Sequence, residues 1–292
     1  MSASAAAPGA ALSAAPRSLA FTKMHGIGND FVVVDCRAAP LPLDAAGIAR
    51  LGDRHRGVGF DQLLTIEPAR DAGCAFAYGI WNGDGSPALQ CGNGVRCVAA
   101  WLHRAGALPA GPLRLQGPAG PVAVERLGDG RIRVDMGEPR FAPAAIPLAV
   151  AAESDLYALD LDGTRVAFGA VSIGNPHAVI EVADAAAAAV ATIGPRLERD
   201  AAFPRRCNVG FAEVRGRDAI ALRVWERGAG ETLACGSGAC AAVAVLHRRG
   251  RVGDAVRVSL PGGDLDIEWS GPGATLWMTG PAAFVFDGEL AL

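Results

Sequence analysis

Two cysteines stand in matching settings, Cys91 in "LQCGNGVRC" and Cys235 in "LACGSGACAAVAVLH", 144 positions apart. Each precedes Gly-Asn/Ser-Gly and then an apolar run of helical character. A thiol just ahead of a helix has its thiolate favoured by the unpaired first-turn N–H groups, and the same groups can hold a carboxylate. Glycines on both sides of Asn93 and Ser237 let a carboxylate approach the backbone without meeting a Cβ. Facing each other across one cleft, the two thiols suit inversion of a stereocentre that bears a hydrogen. One thiolate takes the proton from one face while a thiol delivers a proton to the other. A helix end contributes only roughly 0.3–2 kcal/mol, which cannot close the acidity gap between a thiol and an amino-acid α-carbon. Fixed N–H groups and exclusion of water must supply much of the remainder.

The elements that position these thiols are written twice. Residues 78–106 align without a gap to 222–250, and Trp81, Cys91, Gly92, Gly94, His103 and Arg104 recur as Trp225, Cys235, Gly236, Gly238, His247 and Arg248. At a slightly larger offset "GIGNDFVVVD" meets "SIGNPHAVIE", with Asn29 opposite Asn175. Each copy holds short Val/Ile-rich segments (FVVVD, LRLQG, IRVDM; AVIEV, IALRVWE, VRVSL, LWMTG) bounded by Gly and Pro, together with one strong helix. The fold class is therefore mixed α/β. Asn93 and Ser237 are the expected N-caps, and Gly106 and Gly250 the C′ residues. The helix bodies are apolar almost all round, which predicts a sheet wrapped around each. His103 and His247 in the last turns complement the helix ends, and the other five cysteines read as small apolar residues.

Composition narrows the chemistry further. A chain of 292 residues with 51% hydrophobic residues can bury two ordinary cores. With a net charge of −3, scattered basic residues and two tyrosines, nothing resembles a nucleic-acid surface, and a small-molecule substrate is expected. No apolar run approaches the ~18–20 residues of a membrane helix. Seven cysteines, an odd number in a chain of this size, predict free thiols and a cytoplasmic setting. The cysteines lack CxxC spacing and the histidines are far apart, so no metal is expected. Residues 1–17 read as a disordered extension. Lys23 is the single lysine, which makes a pyridoxal Schiff base a poor fit and a GxxxxGK phosphate loop impossible. Gly236-Ser-Gly238-Ala-Cys-Ala241 matches GxGxxA, but GAGETLA separates it from the preceding strand. No cofactor is expected.

The stretches "KMHGIGNDF", "GFDQLL", "NGDGSPALQCGNGVRC", "GNPHAV", "NVGFAEV", "WERGAGETLACGSGACAA" and "TGPAAFVFDGEL" together resemble the diaminopimelate epimerase family over essentially all of 20–290. The resemblance implies a homodimeric, cofactor-independent enzyme that interconverts LL- and meso-diaminopimelate on the route to lysine and peptidoglycan precursors. Its fold would be two pseudo-symmetric domains, 18–135 plus 281–292 and 136–280, each a curved mixed/antiparallel sheet around a central helix. By the same resemblance Cys91 and Cys235 are the acid/base thiols, and Gly92, Asn93, Gly236 and Ser237 hold the reacting carboxylate. Asn29, Gln62, Asn82, Asn175 and Asn208 match further pocket positions, Glu226 and Arg227 match residues that grip the distal end, and His177 and Glu226 match groups near the thiols with an expected role in tuning their protonation. Asn29 and Asn175 also suit plain Gly-Asn turns, and Glu226-Arg227 suits a surface ion pair. Trp81 and Trp225 depart from the Phe or Tyr of the family, and Gly83 from Ala. A proline racemase relative would use the same thiols without needing Glu226-Arg227. A thiol redox switch would not need the duplicated helix starts.

Overall fold

The computed structural model describes residues 18–108 and 111–291, so the expected extension at 1–17 lies outside the described residues. The first half of the chain runs β1 (Ser18–Gly26), β2 (Asn29–Asp35), α1 (Ala45–Gly52), β3 (Gln62–Glu67), β4 (Phe76–Asn82), α2 (Gly92–Arg104), β5 (Leu113–Gly117), β6 (Gly120–Arg126) and β7 (Ile132–Asp135). The second runs β8 (Tyr157–Leu161), β9 (Thr164–Ser172), β10 (Pro176–Val182), α3 (Val190–Glu198), β11 (Asn208–Val214), β12 (Ala219–Glu226), β13 (Gly230–Thr232), α4 (Gly236–Arg248), β14 (Ala255–Leu260), β15 (Gly263–Glu268), β16 (Trp277–Gly280) and β17 (Ala283–Ala291).

Strand pairing repeats the duplication. Along the path β1-β2-β3-β4-β5-β6-β7 the pairs are antiparallel, except that β2 is parallel to β3 and β4 is parallel to β5. The path β9-β10-β11-β12-β14-β15-β16 has its two parallel pairs, β10 with β11 and β12 with β14, in the same places. Strand β17 pairs antiparallel with β1 as β8 pairs antiparallel with β9. The two copies join where β7 meets β16 antiparallel, Val134 opposite Met278. A twofold-related pair of sheets meeting at equivalent antiparallel strands brings equivalent elements of the copies face to face.

Each sheet curls around its own helix. Helix α2 packs against β1, β2, β3, β6 and β7, and α4 against β9, β10, β11, β12 and β15. The central core is continuous through both, from Val95, Val98 and Leu102 on α2 to Ala239, Val243 and Leu246 on α4. Helix packing needs close approach at Gly169 of β9, where an added Cβ would overlap Val245 of α4. Gly169→Ala is expected to cost about 1–3 kcal/mol through overpacking, read as a lower urea midpoint with an unchanged slope.

Two shorter helices were not evident in the sequence. Helix α1 covers the outer face of β2: Val32 and Val34 pack with Ile48 and Leu51, whereas Phe31 and Val33 face α2. Covering both faces explains why FVVVD is a continuous apolar run without alternation. Helix α3 does the same for β11 and β12, with Val190 and Leu197 in one cluster with Val209 and Phe211. Its pattern is obscured by Gly194 and Pro195, and Gly194 is needed because Trp225 lies against it. No helix among the described residues is long and apolar enough to cross a membrane.

Candidate active site

The helix starts differ from expectation by two residues. Helices α2 and α4 begin at Gly92 and Gly236, so the N-caps are Cys91 and Cys235 rather than Asn93 and Ser237. Both cysteines have extended backbones, with φ/ψ of −153/101° and −118/101°. The Gly94 N–H donates to Cys91 Sγ at 3.4 Å, where a Ser or Asp oxygen would ordinarily accept. Glycine opens each helix because the protein is crowded there. A Cβ on Gly92 would meet Met278 Cε at 2.6 Å, and one on Gly236 would meet Met278 Sδ at 3.0 Å. Met278 of β16 therefore separates the two helix ends from below. The C-terminal expectation holds: Gly106 and Gly250 have φ of 64° and 67°, and their N–H groups bond His103 and His247 carbonyls.

Both thiols open onto one cavity of about 570 Å³. Its lining includes Asn29, Gln62, Asn82, Cys91, Gly92, Asn93, Asn175, Glu226, Arg227, Cys235, Gly236 and Ser237. Asn208 and His177 stand behind this lining. Asn208 Oδ1 accepts from the Arg227 N–H at 2.9 Å, and its Nδ2 donates to the Pro176 carbonyl at 3.3 Å. His177 is fully buried, its Nε2 bonds Asn175 Oδ1 at 2.9 Å, and burial pushes its imidazole down to about 3. It is neutral near pH 7 and reaches the thiol region through Asn175, whose Nδ2 donates to Ser237 Oγ at 3.3 Å. A second cavity of about 560 Å³ lies alongside over Asp30, Arg54 and Glu231 and is lined by neither thiol.

The copies place matched residues at matched ends. Asn29 Oδ1 accepts from Cys91 Sγ at 3.7 Å and from Asn93 Nδ2 at 3.2 Å, as Asn175 attends Ser237. Asp61, which sequence reading did not single out, fixes the Asn29 amide by accepting from Nδ2 at 2.8 Å. Gln62 Nε2 donates to Asn82 Oδ1 at 3.0 Å, while Gln62 Oε1 is buried without a partner among the described residues. That orphaned acceptor is one that a donor on a ligand can satisfy.

The thiols differ electrostatically. Burial pushes Cys91 up to about 11, opposed by the Gly94 N–H and by the Arg96 guanidinium and reinforced by the Glu226 charge. Cys235, almost fully buried, is raised well beyond its usual range by burial and then by Glu226. Burial also lifts Glu226, whose carboxylate accepts from Thr232 Oγ1. High thiol pKa values make each thiolate a stronger base toward a carbon acid, at the cost of a smaller ionised fraction near neutrality.

The segment carrying Glu226 and Arg227 is pinned by a residue distant in sequence. Glu198, at the end of α3 and 1% exposed, accepts from Trp225 Nε1 at 2.9 Å and from the Gly228 N–H at 3.0 Å. Trp225 thus supplies a donor that Phe could not. Neither Glu198 nor Asp61 carries a local sequence signal, because each acts through a long-range contact. Lys23 is buried away from the thiols, donating to Asp30 Oδ2 at 2.5 Å and to the Gly59 carbonyl.

Comparison with known proteins follows the same outline. The sequence profile described as diaminopimelate epimerase matches residues 21–142 and 169–285. A diaminopimelate epimerase of Xanthomonas axonopodis pv. citri is 58% identical over 272 residues, 93% of this chain and 96% of that one. An O-ureido-serine racemase of Streptomyces lavendulae is 56% identical over 276 residues, 94% of this chain and 96% of that one. Among solved structures, a probable proline racemase from Agrobacterium radiobacter superposes with a TM-score of 0.69 at 18% identity, covering 94% of this chain and 93% of its own. At that identity the likeness speaks to the fold alone.

Proposed function

The chain belongs to the diaminopimelate epimerase family and is an isomerase of the racemase and epimerase class, and from that premise we infer that it epimerises LL-diaminopimelate to meso-diaminopimelate with two thiols and no cofactor. The single observation that carries this reading is the shared cavity onto which Cys91 and Cys235 open as the N-caps of two twofold-related helices. One sulfur, as thiolate, takes the α-proton; the electron pair remains on the α-carbon beside the carboxylate; the other sulfur gives its proton to the opposite face. The enzyme is left with its thiol and thiolate exchanged, ready for the reverse turnover. Backbone N–H groups at Gly92, Asn93, Gly236 and Ser237 suit the carboxylate whose charge grows as the proton leaves.

Other features support the particulars. Lys23 is committed to Asp30 and Gly59 and is absent from the cavity lining, which favours chemistry without a pyridoxal Schiff base. Glu226 and Arg227 in the lining suit an ammonium and a carboxylate at the far end of a long substrate; Asn208 holds the Arg227 backbone, while His177 bears on Ser237 beside the Cys235 thiol through Asn175. The halves are read as 18–135 with 281–292, and 136–280, a division supported by the pairing of β17 with β1. We assign the enzyme to the cytoplasm, to lysine and peptidoglycan precursor synthesis, and to a homodimer, by analogy with the family.

The similarity to an O-ureido-serine racemase motivates a second reading, because a ureido end is neutral where diaminopimelate is zwitterionic. The two are separated by kcat/KM on LL-diaminopimelate, O-ureido-L-serine and L-proline. The charged lining predicts a preference for diaminopimelate of about 10²-fold or more; preference for either other substrate would overturn the assignment.

Two further results are expected. The kcat/KM of the free enzyme should rise with pH between about 6 and 8, approaching tenfold per unit, since the essential base is a thiolate whose folded pKa lies above that range. A flat profile would contradict a thiolate base. Glu198→Ala should raise KM by about tenfold with a smaller change in kcat, because it releases Trp225 and Gly228 beside the distal wall and leaves two donors unpaired.

A further inference from the structure

Beneath the cavity lies a cation that the reaction described above does not use. Arg96, in the second turn of α2, is fully buried. Its guanidinium occupies a slot cut by two glycines: a Cβ on Gly26 would meet Nη2 at 2.9 Å, and one on Gly280 would meet Nε at 3.2 Å. Nε donates to the Pro281 carbonyl at 3.2 Å and Nη1 to Asn93 Oδ1 at 2.9 Å, with Met278 Sδ at 3.6 Å. Nη2 is buried with no partner among the described residues, and the ionisable groups bearing on the guanidinium are the thiols of Cys97, Cys91 and Cys240. Charge buried with so little compensation does not serve stability well, since an apolar residue of similar volume is commonly as good or better.

What the cation accomplishes is read from Asn93. The Asn93 carboxamide gives its oxygen to Arg96 and its Nδ2 to two acceptors, Asn29 Oδ1 and the Ala234 carbonyl, each at 3.2 Å. Asn29 also receives the Cys91 thiol, and Ala234 immediately precedes Cys235. The carboxamide is thus a crossbeam between the two thiol-bearing segments. A guanidinium can only donate, so Arg96 forces the amide oxygen toward itself and the NH2 group across the cleft. Turned over, the amide would set its oxygen against two other oxygens. The second copy has no equivalent, because Cys240 and Ser237 stand where Arg96 and Asn93 stand in the first.

We propose that Arg96 is a positioning residue for the epimerisation: through Asn93 it fixes the alignment of Cys91 and Cys235 across the cavity. The proposal rests on the two-thiol reading. It is tested with Arg96→Lys, Asn93→Ala and the double variant, measuring kcat, KM and the thermal midpoint with LL-diaminopimelate. Lysine keeps the charge, but its single nitrogen cannot hold Asn93 and Pro281 together as the planar fork does. Arg96→Lys should lower kcat by about 10- to 100-fold with KM within about threefold, since misalignment of the reacting groups is felt in the chemical step. The double variant should be within about twofold of Asn93→Ala, because both changes remove one crossbeam. A folded Arg96→Lys with kcat within about twofold of the parent, or losses that multiply in the double variant, overturns the proposal. If Arg96→Lys does not fold, Asn93→Asp decides: it keeps the Arg96 contact but loses the NH2 group, and unchanged kcat would overturn the crossbeam. Cys91→Ala is run alongside. Activity in that variant would remove the two-thiol reading itself, whereas an inactive Cys91→Ala beside an unimpaired Arg96→Lys removes only the role of Arg96.

Discussion

Alanine at Cys91, or alanine at Cys235, is expected to lower epimerisation in both directions by about 10³-fold or more, within the range for loss of a positioned proton-transfer group. Neither change should unfold the protein, because the cap interaction lost from a single helix is worth only about 1 kcal/mol. The two variants should also differ in a way that simple loss of function would not produce. Each keeps one sulfur on one face of the substrate, so each retains slow exchange of the α-proton with solvent for one stereoisomer only. The variant that exchanges the LL isomer identifies its surviving thiol as the base for that isomer. Exchange of both isomers by one variant would mean that a single sulfur reaches both faces, and the twofold arrangement of α2 and α4 would then have no mechanistic meaning.

The other large effect concerns the distal wall. Arg227→Met should reduce kcat/KM for diaminopimelate by about 10²-fold, chiefly through KM, as expected when one partner of a charge pair is removed. The Arg227 backbone N–H is held by Asn208 and its Nη1 donates to the Arg205 carbonyl at 3.1 Å, so the side chain starts from a supported position. Slow turnover of L-proline or O-ureido-L-serine should be almost unchanged by the same substitution, because neither presents a second carboxylate. Equal losses on all three substrates would place Arg227 in support of the fold instead.

Much of this site was legible in the sequence because the duplication displayed its chemistry twice. The repeat of Cys-Gly-Asn/Ser-Gly ahead of an apolar run located both helix ends, and strands such as FVVVD and IALRVWE appear where their β-branched residues indicated. The N-cap assignment missed by two residues because sulfur is a rare cap, and Asn and Ser are strong ones. Helices α1 and α3 were hidden for a different reason: they are short, and α3 contains Gly194 and Pro195, whose presence is dictated by packing against Trp225 and not by helix propensity. Asp61, Arg96 and Glu198 could not be found by spacing at all. Asp61 acts on Asn29, and Glu198 on Trp225 and Gly228, across separations that only the folded chain closes. Arg96 lies within a turn of Asn93, but its meaning comes from Ala234, Gly280 and Pro281 at the far end of the chain.

The most direct test of the two-thiol mechanism is proton NMR of LL-diaminopimelate turning over in D2O, with reductant present and no cofactor added. Early in the reaction the meso product should carry deuterium at the inverted carbon, while unreacted LL substrate keeps its α-proton, because the proton is taken by one sulfur and the deuteron given by the other. Product that retains the original proton, or deuterium entering the LL pool as fast as the meso isomer forms, would point to a single base and contradict the account.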